Sequence, residues 1–384
     1  MHITNDVRYV GVNDHDIDLF EGLYPVPNGM AYNSYVILDE KIAVMDAVDA
    51  HFGGLWLSNV HKALEGRQPD FLVVHHMEPD HSASIALFMD AFPEAIIVSS
   101  AKAFPMMKAF FHQDYAQRRI IVKEGDQLSL GKHMLTFIDA PMVHWPEVIM
   151  TYDQLTGSLY SADAFGKFGA LDVEEDWACE ARRYYFGIVG KYGAQVQSVL
   201  KKTTALDVRS IHPLHGPVLQ GEMLHEALRL YDVWSSYRAE SEGVVIAHAS
   251  VYGNTRAAAE KLADALRGQG VKVAVQDLTR CDMAEAVEDA FRYDRLVLAA
   301  ATYNADVFPP MRQFITWLTE RGYRNRTVGL IENGSWAPMA GKVMRGMLEG
   351  CKDVTILDPV VKIQSALNDE SAAQLEALKD ALVK

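Results

Sequence analysis

From the amino terminus to Pro217 the apolar positions come in short runs rich in Val, Ile, Tyr and Thr, each closed by turn-forming residues. Runs of this length and composition predict strands at 32–38, 41–46, 71–75, 95–99, 134–138, 148–152 and 158–161. Helical spacing is confined to a few intervals, among them 55–64 and 83–91, so this half predicts sheets covered by helices rather than a regular alternation. The stretch 220–240 is amphipathic at helical period and runs into the polar Glu240-Ser241-Glu242-Gly243, the predicted boundary between domains 1–242 and 243–384. Beyond it the pattern changes. Strands predicted at 244–250, 271–278, 296–301, 327–331 and 354–362 alternate with helices at 256–267, 283–291, 311–320, 340–348 and 371–382. Five strands alternating with five helices predict an α/β unit with a doubly wound, five-stranded parallel sheet.

Composition narrows the function classes. The 384 residues are 49% apolar and 23% charged, ordinary for globular chains and unlike disordered ones. With 36 basic against 51 acidic residues the formal charge is −15, which argues against a nucleic acid or an anionic membrane as partner. The cysteines, Cys179, Cys281 and Cys351, show no CxxC spacing, which excludes a disulfide framework, a zinc ribbon or an attached rubredoxin module. Met1–Asp6 lacks a basic start leading into an apolar run, and no apolar run reaches the length of a membrane span. The expectation is a cytoplasmic protein.

The densest chemistry lies in His76-Met77-Glu78-Pro79-Asp80-His81, which follows the apolar Phe71-Leu72-Val73-Val74 and therefore occupies the carboxyl end of a buried strand. Four potential ligands on a turn can converge on a small volume, whereas on a helix they would point around the cylinder. Pro79 fixes φ and suits a preorganised site. His144, Asp163 and His215 each stand just past a predicted strand, beside Gly or Pro. Imidazole and carboxylate without thiolate suit Fe, Mn or Zn, and a carboxylate-rich set shifts the preference toward redox-active iron. His75 alternates with His76 on its strand and His212 lies in a proline-rich turn, so packing or supporting roles are expected for both. Trp145 and Tyr184-Tyr185 are candidates for pocket walls, with plain core as the competing reading.

A second constellation follows the strand at 244–249. Ser250-Val251-Tyr252-Gly253-Asn254-Thr255 runs into a helix N-terminus, where backbone amides and short hydroxyls can wrap a phosphate. Without the lysine of a nucleoside-triphosphate loop it suits a monophosphate such as FMN. Two later loops stand at carboxyl strand ends, where such sheets bind ligands. They are Ala301-Thr302-Tyr303-Asn304 and Asn333-Gly334-Ser335-Trp336, with Tyr303 and Trp336 offering aromatic faces to an isoalloxazine ring.

The ligand series His76-x-Glu78-x-Asp80-His81, followed at long intervals by His144, Asp163 and His215, resembles the flavodiiron (A-type flavoprotein) family. The segments 161–166 and 215–217 and the block from Gly243 onward, which resembles flavodoxin, extend the likeness over essentially the whole chain. The intervals from His81 to His144 and from His144 to Asp163 match that family. The interval from Asp163 to His215 is shorter than the family usually has, so the chain departs from the pattern across the helical stretch 172–204. The resemblance implies a metallo-β-lactamase-like αββα sandwich holding two non-haem irons, ahead of an FMN-binding flavodoxin domain. His76, Glu78 and His144 would hold one iron; Asp80, His81 and His215 the other; Asp163 would bridge. The implied activity is reduction of O2 to water, of NO to N2O, or of both. The implied partners are rubredoxin or a similar donor and a second copy of the chain arranged head to tail, with a dimer of dimers as an extension. Alternatives are an oxidase fed by the deazaflavin F420H2, a metallo-β-lactamase-type hydrolase fused to a flavin domain, and an electron carrier with a vestigial iron domain. Glu78, standing where a dizinc hydrolase would carry His, weighs against the hydrolase, and the full ligand set weighs against the carrier.

Overall fold

In the computed structural model the described residues are 6–383, so the opening segment 1–5, on which the expectation of no leader peptide rests, lies outside them. The chain divides into two compact units, Met1–Asp232 and Val233–Lys384.

The first unit is built on two six-stranded sheets. One runs in the order Val7–Tyr9, Tyr35–Ile37, Ala43–Met45, Phe71–Val73, Ile96–Ser100, Arg119–Val122. The other runs Gln127–Ser129, Met134–Asp139, Ile149–Asp153, Ser158–Tyr160, Ser210–His212, Leu219–Gln220. Alternation decides the layering. Tyr35, Ile37, Ala43, Met45, Phe71, Val73 and Val98 share one core with Leu135, Phe137, Ile149 and Tyr160 of the facing sheet. Their neighbours Val36, Val44, Leu72 and Ile97 are just as buried on the opposite face. There the helices Gly53–Leu64 and Ala103–Phe111 pack on the strands Tyr35–Ile37 and Ile96–Ser100. The inner strands of the first sheet, Tyr35–Ile37, Ala43–Met45 and Phe71–Val73, are consequently apolar at every position. Strands Ser158–Tyr160 and Ser210–His212 pair in parallel, which requires a crossover. The intervening chain supplies it as Trp177–Tyr184, a π-helical turn Tyr185–Val189, a 3₁₀ turn Gly190–Tyr192 and Gly193–Thr203. Residues 172–176, expected to be helical, are not; Asp176 instead caps the helix that follows by accepting from the amides of Ala178 and Cys179.

The second unit holds a parallel sheet in the order Val273–Asp277, Ser241–Ala249, Tyr293–Tyr303, Arg326–Asn333, then Val354–Ile356 and Val361–Ile363 beside the same neighbour. This is the flavodoxin order, with strand 1 between strands 2 and 3. The last strand, expected as one run over 354–362, is two pieces. Pro359 has no amide hydrogen for the ladder, and the interruption falls at Asp358-Pro359. The helix expected over 220–240 is shorter, Glu222–Ser235.

Candidate functional site

The ligand-type residues of the first unit converge because each follows a strand that ends on the same rim. Phe71–Val73 leads to His76, and Pro79 opens a four-residue helix with Glu78 at its cap and Asp80 and His81 in its turn. His144 lies in the loop between Met134–Asp139 and Ile149–Asp153, Asp163 follows Ser158–Tyr160, and His215 follows Ser210–His212. All seven come together, in two groups: His76, Glu78, His144 and Asp163, and Asp80, His81 and His215.

In the first group His76 Nε2 stands 3.2 Å from His144 Nε2 and 3.2 Å from Glu78 Oε2. Asp163 Oδ2 lies 3.4 Å from His76 Nε2 and 3.0 Å from His144 Nε2. The other oxygen of Asp163 turns to the second group, 3.3 Å from His81 Nε2 and 3.7 Å from His215 Nε2. There His81 Nε2 and His215 Nε2 face each other at 3.0 Å, with Asp80 Oδ2 3.2 and 3.3 Å away. Ligands about 2.1 Å from a shared metal at tetrahedral angles lie about 3.4 Å apart, the spacing seen within each group.

Two further observations fit metal ions. Both oxygens of Asp80 and Asp163 Oδ1 are buried acceptors without a hydrogen-bond partner, an arrangement that is costly unless a cation meets them. The titration behaviour agrees. Burial by itself would lower the imidazolium pKa of His76, His81 and His144, yet the facing carboxylates outweigh it and raise all three, His144 to about 9. Burial would raise Asp163 and Glu78, but the facing histidines hold both well below the carboxylate range. A bound cation would compete with those protons for the same ligand atoms.

The surroundings include residues that the sequence did not single out. Glu147 accepts from His76 Nδ1 at 2.8 Å and from the Met77 amide at 2.8 Å. Glu21, in the turn between the short strands Leu19–Phe20 and Tyr24–Pro25, stands beside Glu78; burial and the Glu78 charge together raise its pKa to about 8. Phe20 and Tyr32 set ring edges against His215 at 5.4 and 6.1 Å. Glu147 had a signal, a carboxylate shortly after His144, because ligating histidines usually donate outward to an acceptor. Glu21 had none, lying far ahead of Glu78 in the chain.

His75 is turned away from the ligand groups, bonded to Asp46 at 2.5 Å and Thr151 at 2.7 Å. His212 meets Ser210 at 2.9 Å, and burial pushes its pKa down to about 3. Trp145 packs edge-on at 5.2 Å from the His76 ring. Tyr184 lies 5.5 Å from His215 with its hydroxyl buried and unpartnered, whereas Tyr185 packs on Phe186 and Tyr231.

In the second unit the three loops enclose a cleft of about 520 Å³, within the range of cofactor sites. Every expected residue lines it except Gly253, and Ala305, Ala337 and Ser365 are added. Gly253 stands behind the wall as the cap of helix Asn254–Gly268, at φ +97°, with its amide donating to Ser250 Oγ at 3.1 Å. That helix has neither a side-chain cap nor an acidic residue in its first turn, which leaves its amides available to an anion. Thr302 Oγ1 accepts from the amides of Met339 and Ala340, and Asn333 exchanges hydrogen bonds with the Ser365 backbone, so these two polar groups tie loops together. At the rim Tyr252 is 95% exposed, Trp336 83% and Tyr303 45%, aromatic faces in water that a flat ring would cover.

Comparison with known proteins gives the same two parts. Residues 30–216 match the ODP family of beta-lactamases and residues 245–346 a flavodoxin domain. A nitric oxide reductase of Moorella thermoacetica is 28% identical, across 94% of this chain and 92% of that protein. Diflavin flavoprotein A 1 of Synechocystis is 31% identical over 74% of this chain, which spans about half that relative's length, 51%. Among solved structures, rubredoxin oxygen:oxidoreductase of Desulfovibrio gigas covers 100% of this chain with a TM-score of 0.91 at 24% identity, a likeness of fold.

Proposed function

The chain belongs to the flavodiiron family, and from that premise we propose that it reduces O2 to water, NO to N2O, or both, drawing electrons through FMN into a non-haem diiron site. When bound, FMN and two irons supply the redox capacity, two electrons from the flavin and two from the metals, matching the four that O2 takes and exceeding the two that a pair of NO takes. The observation that carries the reading is Asp163, whose two oxygens each face a different pair of histidines. His76, Glu78 and His144 would hold one iron, Asp80, His81 and His215 the other, with Asp163 shared.

The chain's own groups shape what can reach those positions. Phe20, Phe168 and Tyr184, in mutual ring contact, exclude water beside His215. Tyr184 Oη has a proton to donate and no partner to receive it. Glu21 stands beside Glu78, and in the metal-free protein its pKa is raised to about 8. A neutral diatomic loses little on entering such a pocket. In the second unit the loop Ser250 to Thr255 would take the FMN phosphate, and Tyr303 and Trp336 would flank the ring. A small donor of the rubredoxin type would reload the flavin in the cytoplasm, and a second copy placed head to tail would bring the flavin of one subunit to the irons of the other; the family resemblance supports both.

The test is analysis of natively expressed protein, with about two irons and one FMN per chain expected, followed by anaerobic turnover with O2 and with NO. Stoichiometric zinc would replace the reading with the hydrolase. Turnover supported by F420H2 and by no protein donor would replace the donor.

A further inference from the structure

The two metal positions have matched inner ligands. Each is offered two histidine Nε2 atoms, one carboxylate of its own (Glu78 or Asp80) and one oxygen of Asp163. They differ one layer out. A histidine that binds through Nε2 carries its other proton on Nδ1, and the acceptor of that proton sets how much negative charge returns to the ring. His76 Nδ1 donates to the Glu147 carboxylate at 2.8 Å. In the other group His215 Nδ1 donates to the neutral carbonyl of Ala31 at 2.7 Å, and His81 Nδ1 is buried with no partner.

Glu147 is placed to make that difference count. Its side chain is 1% exposed, so water and salt screen it little. The oxygen that receives His76 also takes the Met77 amide, while Oε2 has no partner. Its own backbone is pinned, with Ser100 Oγ donating to the Glu147 carbonyl at 2.7 Å and Lys102 Nζ to the Pro146 carbonyl at 3.2 Å. The carboxylate itself is held on His76 by the two hydrogen bonds that its Oε1 accepts.

We propose that Glu147 is a positioning residue that makes the two metal positions unequal, strengthening the one held by His76, Glu78 and His144 and giving it the greater preference for the oxidised ion. The proposal rests on the two-metal reading above. A carboxylate pulls harder on the Nδ1 proton than a carbonyl does, so the His76 ring gains imidazolate character and its Nε2 becomes the better donor. The higher charge state gains most from that donation. With iron bound, the position held by Asp80, His81 and His215 would then favour the ferrous ion more than the position held by His76, Glu78 and His144.

Cobalt(II) titration of the metal-free protein reads the inequality with no redox step. Two unequal binding events are expected. Glu147→Gln, which keeps the shape and removes the charge, should lose about 10- to 100-fold in affinity at the tighter event and leave the other unchanged. Glu147→Asp, which keeps the charge on a shorter arm, should fall between the two. Equal events in the parent protein, or equal weakening of both in Glu147→Gln, would overturn the proposal. With iron bound, a potentiometric titration followed by electron paramagnetic resonance should show less of the half-reduced state in Glu147→Gln than in the parent. An unchanged yield would overturn the proposal and leave the family reading standing. Protein that binds cobalt unequally but shows no iron redox step would instead count against the oxidoreductase reading.

Discussion

At the scale of single residues the site depends on groups that serve two neighbours at once. Asp163 offers one oxygen to each histidine pair, whereas Glu78 faces the histidines of one group, His76 and His144. Asp163→Ala should therefore lose both metals, while Glu78→Ala keeps roughly one per chain, read by iron analysis of the purified variants; full iron in the Asp163 variant would remove its bridging role. Protons compete for the same positions. With a folded-state pKa of about 9 against an ordinary 6.5, His144 stabilises the metal-free protein fully below pH 6.5 and loses that contribution as pH climbs through about 9. The unfolding temperature of the metal-free protein should fall across that window, while metal affinity, which needs the bare Nε2, should rise; an affinity flat over the same window would contradict the assignment. The seven grouped residues were legible because each follows a strand end in sequence. Glu21 and the contacts of Phe20 and Tyr32 with His215 were not, because tertiary folding alone brings residues 20–32 to a site whose grouped residues begin at His76.

At the scale of elements, periodicity located strands and helices well and their ends less well. The alternation from Val244 onward carried the parallel sheet almost unaided, since its central strands have apolar runs at their middles and its helices have one apolar face. The split of the last strand could have been read from Pro359, which has no amide hydrogen to give to a ladder. The opening residues were harder. Their hairpins, Val12–Asp14 with Met30–Tyr32 and Leu19–Phe20 with Tyr24–Pro25, have strands of two or three residues, too short to show a period. The loops depend on close approach as much as on polarity: Gly216, at φ +83°, follows His215, and a Cβ there would meet Lys167 Cγ at 2.8 Å. The phosphate loop yields an element-scale prediction. Ser250→Asp with Thr255→Asp puts two carboxylates where a phosphate would bind, and like charges at contact cost several kcal/mol, so FMN affinity should drop by at least about 100-fold with iron content unchanged. Fluorescence titration of the flavin-free protein measures it, and unaltered affinity would move the phosphate elsewhere.

For the whole molecule, two units with separate cores carry the two chemistries. Residues from Val233 onward should fold alone as a yellow, FMN-binding protein, because sheet and covering helices are complete within that span; a colourless or unfolded fragment would show that the autonomy is misjudged. In the proposed function, flavin and metal pair deliver their electrons to one diatomic substrate. The most direct measurement mixes the fully reduced, iron- and FMN-loaded protein with limiting O2 under rapid-flow conditions and counts both the O2 consumed and any peroxide released. Flavin and two irons together hold the electrons for reducing O2 fully to water, so roughly one O2 per chain should disappear, with flavin and iron both reoxidised and no peroxide formed. Reoxidation of the flavin alone, with peroxide accumulating in step with the O2 lost, would contradict the account.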